Sequence, residues 1–76
     1  MSPAVPLHRL RSGQRAQVVE LRSDNHVRLA RLGALGLMPG SWIVVLQKKP
    51  ALVLRVGETE ISLDDAVAGE ILVRPA

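Results

Sequence analysis

Residues 28–41 read RLARLGALGLMPGS, a helix that stops abruptly, a tight turn and the start of a strand. Leu29, Leu32 and Leu35 recur at helical spacing, which predicts one apolar helix face. Gly36 can take the left-handed conformation that ends a helix, and Leu37 can then fold back onto the last turn. Pro39 presets φ and Gly40 tolerates a positive φ, so Met38-Pro39-Gly40-Ser41 suits a type II turn. Residues 42–46, WIVVL, follow as a strand of β-branched and large apolar residues. None of these residues does chemistry; they build a junction. That favours a small, structurally defined binding module over an enzyme.

Upstream, residues 7–13 form a lead-in that closes on a Ser12-Gly13 turn. Residues 14–21 alternate loosely and carry Val18 and Val19, which predicts a strand. Ser23 or Asp24 is expected to cap a helix over residues 25–35 by accepting a bond from an early helix N–H. Gly33 lies inside that helix at about 1 kcal/mol relative to Ala, an expense that a close approach to a strand would explain. Downstream, strands are predicted over residues 42–47, 52–56 and 59–63. Gly57-Glu58 joins the last two, and Gly at the first loop position suits a type II′ turn. Asp64 can open a short helical turn through Ala68, with Gly69 ending it. Residues 71–74 make the last strand. Five short strands and one real helix in 76 residues predict a mostly β fold, a small closed or nearly closed barrel with one inserted helix. The expected organisation is a single domain over residues 1–76, with residues 1–6, which hold two prolines, as a flexible tail.

The motif LGLMPGS at residues 35–41, preceded by an arginine-bearing helix, resembles the signature of the ferrous iron transport protein A (FeoA) family. It is also similar to the SH3-like domain that ends some metal-dependent bacterial repressors. The closing segment ETEISLDDAVAGEILV (58–73) resembles the family's strand, helical turn and last strand, and LHRLRSGQRAQVVEL (7–21) its opening. The resemblance covers about residues 7–74. It implies an SH3-like barrel and a bacterial cytoplasmic accessory of ferrous iron uptake. The implied partner is the system's membrane permease (FeoB), a polytopic protein with a cytosolic GTP-binding domain. Two places depart from the family pattern: the loop over residues 47–50 is short, and Asp64-Asp65 stands where members often carry basic residues. Two alternatives stay open. One is a stand-alone regulatory domain like that of the repressors, although their DNA-binding helical domain and metal ligands are absent from this sequence. The other is a generic peptide-binding or self-associating barrel.

Composition excludes several other functions. There are no cysteines, so neither disulfides nor thiolate ligation is available. No apolar run approaches the ~18 residues of a membrane span, and the start lacks a basic end followed by an apolar block. A cytoplasmic setting, peripheral to the inner membrane only through the partner, fits these features. His8 and His26 fall on different elements and the acidic residues are scattered, so no metal site is expected, and no cofactor. The serines are explained by turns, caps or strand positions, and no glycine-rich phosphate loop occurs. With one Trp and no Phe or Tyr there is no stacking platform for single-stranded nucleic acid, and specific nucleic-acid binding is not expected.

The net charge of +3 is unevenly spread: eight basic residues face two acidic ones before Pro50, and two face five from there on. Such polarity fits an acidic protein face or an anionic membrane surface. Arg28 and Arg31 share one helix side, expected to lie away from the leucine stripe and to contribute to docking. On residues 42–46 the family pattern makes Ile43 and Val45 the core pair. Trp42, Val44 and Leu46 then face outward as an apolar stripe available to a partner or a second copy. Gly33, Gly36, Pro39, Gly40 and Gly57 are the expected structural turn and cap positions.

Overall fold

The computed structural model describes residues 3–76. Strand β1 (Val5–Pro6) runs into a 3-10 turn (Leu7–Arg9), followed by β2 (Arg15–Leu21), helix α1 (His26–Ala34), β3 (Trp42–Gln47), β4 (Leu52–Val56), β5 (Thr59–Leu63), helix α2 (Asp65–Gly69) and β6 (Ile71–Pro75). The strands form one antiparallel sheet in the order β1-β6-β2-β3-β4-β5. The sheet curls around a core without closing, because β1 and β5 are its two edges. The sixth strand comes from the stretch expected to be a free tail: Val5 pairs with Val73 and Pro6 with Leu72. Proline tolerates this place because an edge strand leaves alternate N–H groups unpaired. Met1 and Ser2 of that tail lie outside the described residues.

Strand alternation fills the interior. Ala16 and Val18, Ile43 and Val45, Leu52 and Leu54, Ile61 and Leu63, and Ile71 and Val73 are all buried, two from each long strand. Leu7 and Leu10 plug one side from the 3-10 segment, and Leu32 and Leu37 enter from the helix and its stop. Lys48 secures the Leu7–Arg9 turn: its Nζ donates to the carbonyls of His8 and Leu10, the latter at 2.7 Å. Gly69 does not end α2 with a positive φ; it lies inside the helix with the His8 ring beside it, and a Cβ there would meet Cε1 and Nδ1 at 3.5 Å. The space is used for packing, and Glu70 is the cap residue.

The junction between α1 and β3 is built from backbone hydrogen bonds. Gly36 has φ +98°. Its N–H donates to the Gly33 carbonyl at 3.0 Å, and the Leu37 N–H donates to the Leu32 carbonyl at 2.9 Å. This pair of bonds is the Schellman pattern, and Leu37 closes it by packing beside Leu32 in the core. Gly40 then has φ +96°, and the Ser41 N–H donates to the Met38 carbonyl at 2.9 Å, as a type II turn requires. At the β4–β5 hairpin Gly57 has φ +59° and Glu58 is not in the positive region, the combination of a type II′ loop. At the start of α1 the cap is Asn25, one or two residues later than expected. Its side chain accepts from the Arg28 N–H at 2.9 Å, while Ser23 Oγ accepts from the Asn25 N–H at 3.1 Å. Ser23 thus braces the capping residue instead of capping.

Gly33 has open space around the position a Cβ would take, so close approach to a strand does not explain it. Gly33→Ala should therefore stabilise the protein by roughly 1 kcal/mol, the helix-propensity difference. Gly36 differs, since a Cβ there would sit at ordinary contact distance, 3.6 Å and 3.7 Å, from the Val56 methyls. The cost at Gly36 is backbone strain, on the order of 1–3 kcal/mol for a β-branched residue. Thermal unfolding should show Gly36→Val melting lower by about 10 °C, since each kcal/mol moves a domain of this size by ~4–8 °C. Pro39→Ala should lower melting only modestly. A Gly36→Val protein that melts with the wild type would refute the strained stop.

Candidate docking surfaces

The first surface is the outer face of the sheet. On β3, Ile43 and Val45 are buried, while Trp42 retains 49% of its exposure and Val44 is half-buried. Leu46 is also half-buried and has no partner on β4, because the register shifts between Val45 and Gln47. Strand pairing surrounds this stripe with arginines. Arg15 on β2 and Arg55 on β4 both stand opposite Val44, and Arg74 on β6 stands opposite Gln17, the neighbour of Trp42. The Arg15 guanidinium lies 5.5 Å from the centre of the Trp42 ring, a cation–π contact that holds the indole on the face. Arg55 reaches Glu60 of β5 at 3.9 Å. Trp42, Val44, Arg15, Arg55 and Gly57 line a shallow hollow of about 170 Å³. Arg55 and Arg74 belong to the half of the chain with the acidic excess. The folded surface therefore gathers arginines from both halves, a mixing that summing charge along the chain missed.

The second surface is a groove of about 390 Å³ lined by residues of α1 and β5 and by Val67 of α2. The structure does not bring Arg28 and Arg31 to the Trp42 face; both line this groove with Leu32 and Leu35. They are therefore not on the side of α1 opposite the apolar stripe. Of the three stripe leucines only Leu32 is buried; Leu35 keeps 40% exposure and Leu29 is half-buried. Arg28 is also partnered from far along the chain: its Nη1 donates to Glu70 Oε1 at 2.7 Å, with about a third of each side chain exposed. Glu70 could not be found from the local i±4 pattern, since it sits 42 residues away. Arg31 is exposed and makes no ion pair among the described residues.

Among the described residues no group of three or more His, Cys, Asp or Glu side chains is placed to hold a metal ion. Nor is any helix among them long and apolar enough to cross a membrane. His8 Nδ1 is buried without a hydrogen-bond partner, but no second ligating side chain is grouped with it.

A small, mostly β, SH3-like domain is the class this architecture defines. The chain belongs to the FeoA family, whose domain model matches residues 5–75. It is similar to a crystal structure described as an iron uptake regulatory protein (FeoA), with 28% identity and a TM-score of 0.86, over 97% of this chain and 99% of that one. It is likewise similar to the FeoA protein of Chlorobium tepidum, with 27% identity and a TM-score of 0.84, over 93% of this chain and 70% of that one. The IdeR protein of T. acidophilum shares the fold at a TM-score of 0.88 and 22% identity, this chain matching 37% of its length. Among curated proteins no sequence match is found.

The two arginines of α1 should separate in a stability measurement. A double-mutant cycle on Arg28→Ala and Glu70→Ala should return a coupling of about 0.2–1 kcal/mol, the range for partly exposed pairs. Arg31→Ala should leave the melting temperature unchanged. Zero coupling between Arg28 and Glu70 would mean that the contact adds nothing in solution.

Proposed function

We propose that this protein is a non-catalytic, cytoplasmic accessory of bacterial ferrous iron uptake, acting by docking on the cytosolic side of the membrane permease (FeoB). Family membership supports the link to ferrous iron transport. The observation that carries the docking reading is Trp42, an indole half-exposed on an apolar stripe and ringed by Arg15, Arg55 and Arg74. Large aromatics beside arginine are the residue types that anchor protein interfaces. The arginines favour an acidic partner surface, whose approach they would steer. Docking regulates only through a difference in affinity between two states of the permease. No step of this function calls for a nucleophile, a general base, a bound cofactor or a resident metal. Iron is the permease's cargo.

The test pairs stability with transport. Trp42→Asp should fold with a melting temperature close to the wild type, because the ring is outside the core. In cells dependent on the permease it should lower ferrous iron uptake to near the level of a strain lacking this protein. Arg15→Glu should act in the same direction, both by reversing charge and by releasing the indole. Full uptake with either variant would overturn docking through this face. In the isolated protein Trp42 emission should be red-shifted, and it should move to the blue when the cytosolic part of the permease is added.

A further inference from the structure

The open edge of β5 borders the groove between α1 and β5. The β4–β5 hairpin has a two-residue loop, so the flanking residues Val56 and Thr59 are a hydrogen-bonded pair. Hydrogen-bonded and non-hydrogen-bonded pairs alternate along an antiparallel ladder. Ile61 and Leu63 therefore turn their backbone groups toward β4, and Glu60 and Ser62 turn theirs to the open edge, since β5 is last in the sheet. The same alternation puts the Ile61 and Leu63 side chains inward, where they line the groove with Leu32 and Leu35. A strand placed here would complete a row of backbone hydrogen bonds and bury alternate side chains against a wall that is already apolar.

Charge narrows the occupant. Glu58 and Glu60 stand at one end of β5 and Asp64 and Asp65 just past the other, and all four are exposed. Outer-facing residues of an added strand would pass beside these carboxylates, where cations are favoured. The inner-facing residues would meet Arg28 and Arg31 as well as leucines, so cations are disfavoured there. Uniform positive charge does not fit this slot; alternation does. A second copy is a poor occupant. Antiparallel pairing of two β5 strands about Ile61 would set the Glu58 and Glu60 end of each against the Asp64 and Asp65 end of the other. Charge on an edge strand is one of the ways proteins suppress such self-pairing.

We propose that the open edge of β5 takes an extended segment of a partner protein as a seventh strand, one in which apolar residues alternate with lysine or arginine. The proposal does not depend on docking through Trp42, which lies on a different surface.

The experiment titrates isotopically labelled full-length protein with a short, capped peptide of alternating valine and lysine, followed by amide and methyl chemical shifts. Saturable shifts are expected at Glu60 and Ser62 and at the methyls of Leu32, Leu35, Ile61 and Leu63, with the Trp42 indole unmoved. N-methylation of the peptide amides that face β5 should weaken binding roughly tenfold or more, while methylation of the opposite set should not. Leu35→Lys, on an exposed position, should weaken binding without unfolding the protein. Ser62→Pro, a replacement an edge strand tolerates, should do the same. No saturable binding, or shifts confined to the Trp42 face, would overturn the proposal. Tighter binding of an alternating valine–glutamate peptide would overturn the charge assignment. Shifts on β5 that grow with protein concentration and no peptide would show that a second copy is the occupant.

Discussion

Ser41 holds the reversal between α1 and β3 together, and the face that β3 turns to the core depends on that reversal. Its hydroxyl donates to the Gly36 carbonyl at 2.6 Å and accepts from the Met38 N–H at 3.3 Å, so one side chain spans the helix stop and the turn. The backbone then ties the turn to the neighbouring strand. The Gly40 N–H donates to the Val18 carbonyl, and the Val18 N–H donates to the Ser41 carbonyl, both at 2.8 Å. Because side chains alternate along a strand, a slip of one residue here would exchange Ile43 and Val45 for Trp42 and Val44 in the core. The junction thus fixes which face of β3 is inside.

Once that face is fixed, the two surfaces acquire different characters from the same sheet. The centre of its outer face combines an aromatic anchor with arginines, a rigid and polar-rimmed arrangement. Its β5 edge combines unpaired backbone groups with carboxylates, beside a helix that contributes Leu32 to the core and leaves Leu35 open to solvent. Arg28 also has a structural part, since its bond to Glu70 ties α1 to the corner before β6. Lys48 plays a comparable part for the short 3-10 segment, whose carbonyls of His8 and Leu10 accept from its Nζ. In a domain this small such polar ties matter, because folding buries only ~60% of the unfolded chain's surface.

The legible part of the fold was the part written in local chemistry. Gly36, Gly40 and Gly57 occupy turns whose positive φ values favour glycine, Pro39 precedes Gly40 in one of them, and strands β4 and β5 begin and end where the alternation does. Strand β1 was not legible, because Val5-Pro6 carries a proline and is too short to show a period; its place comes from pairing with β6, nearly the whole chain away. The helix cap moved to Asn25 because Ser23, Asp24 and Asn25 are all competent caps and the choice depends on where the chain leaves β2. The salt bridge of Arg28 with Glu70, 42 residues apart, leaves no local trace. Strand alternation put Trp42 on the face opposite Ile43 and Val45, and the resemblance to the FeoA family pattern chose which of the two faces is inside. Its arginine surroundings did not, because they arise from the register of four strands.

Native-state hydrogen exchange tests most directly whether the junction is the constraint on which the fold rests. The amides of Leu37, Gly40 and Val18 should exchange only through global unfolding, with the same free energy as the core amides of Val45 and Leu54. Exchange of these three at markedly lower free energy, while Val45 and Leu54 remain protected, would show that the junction opens independently. The claim that it sets the register of β3 would then be wrong.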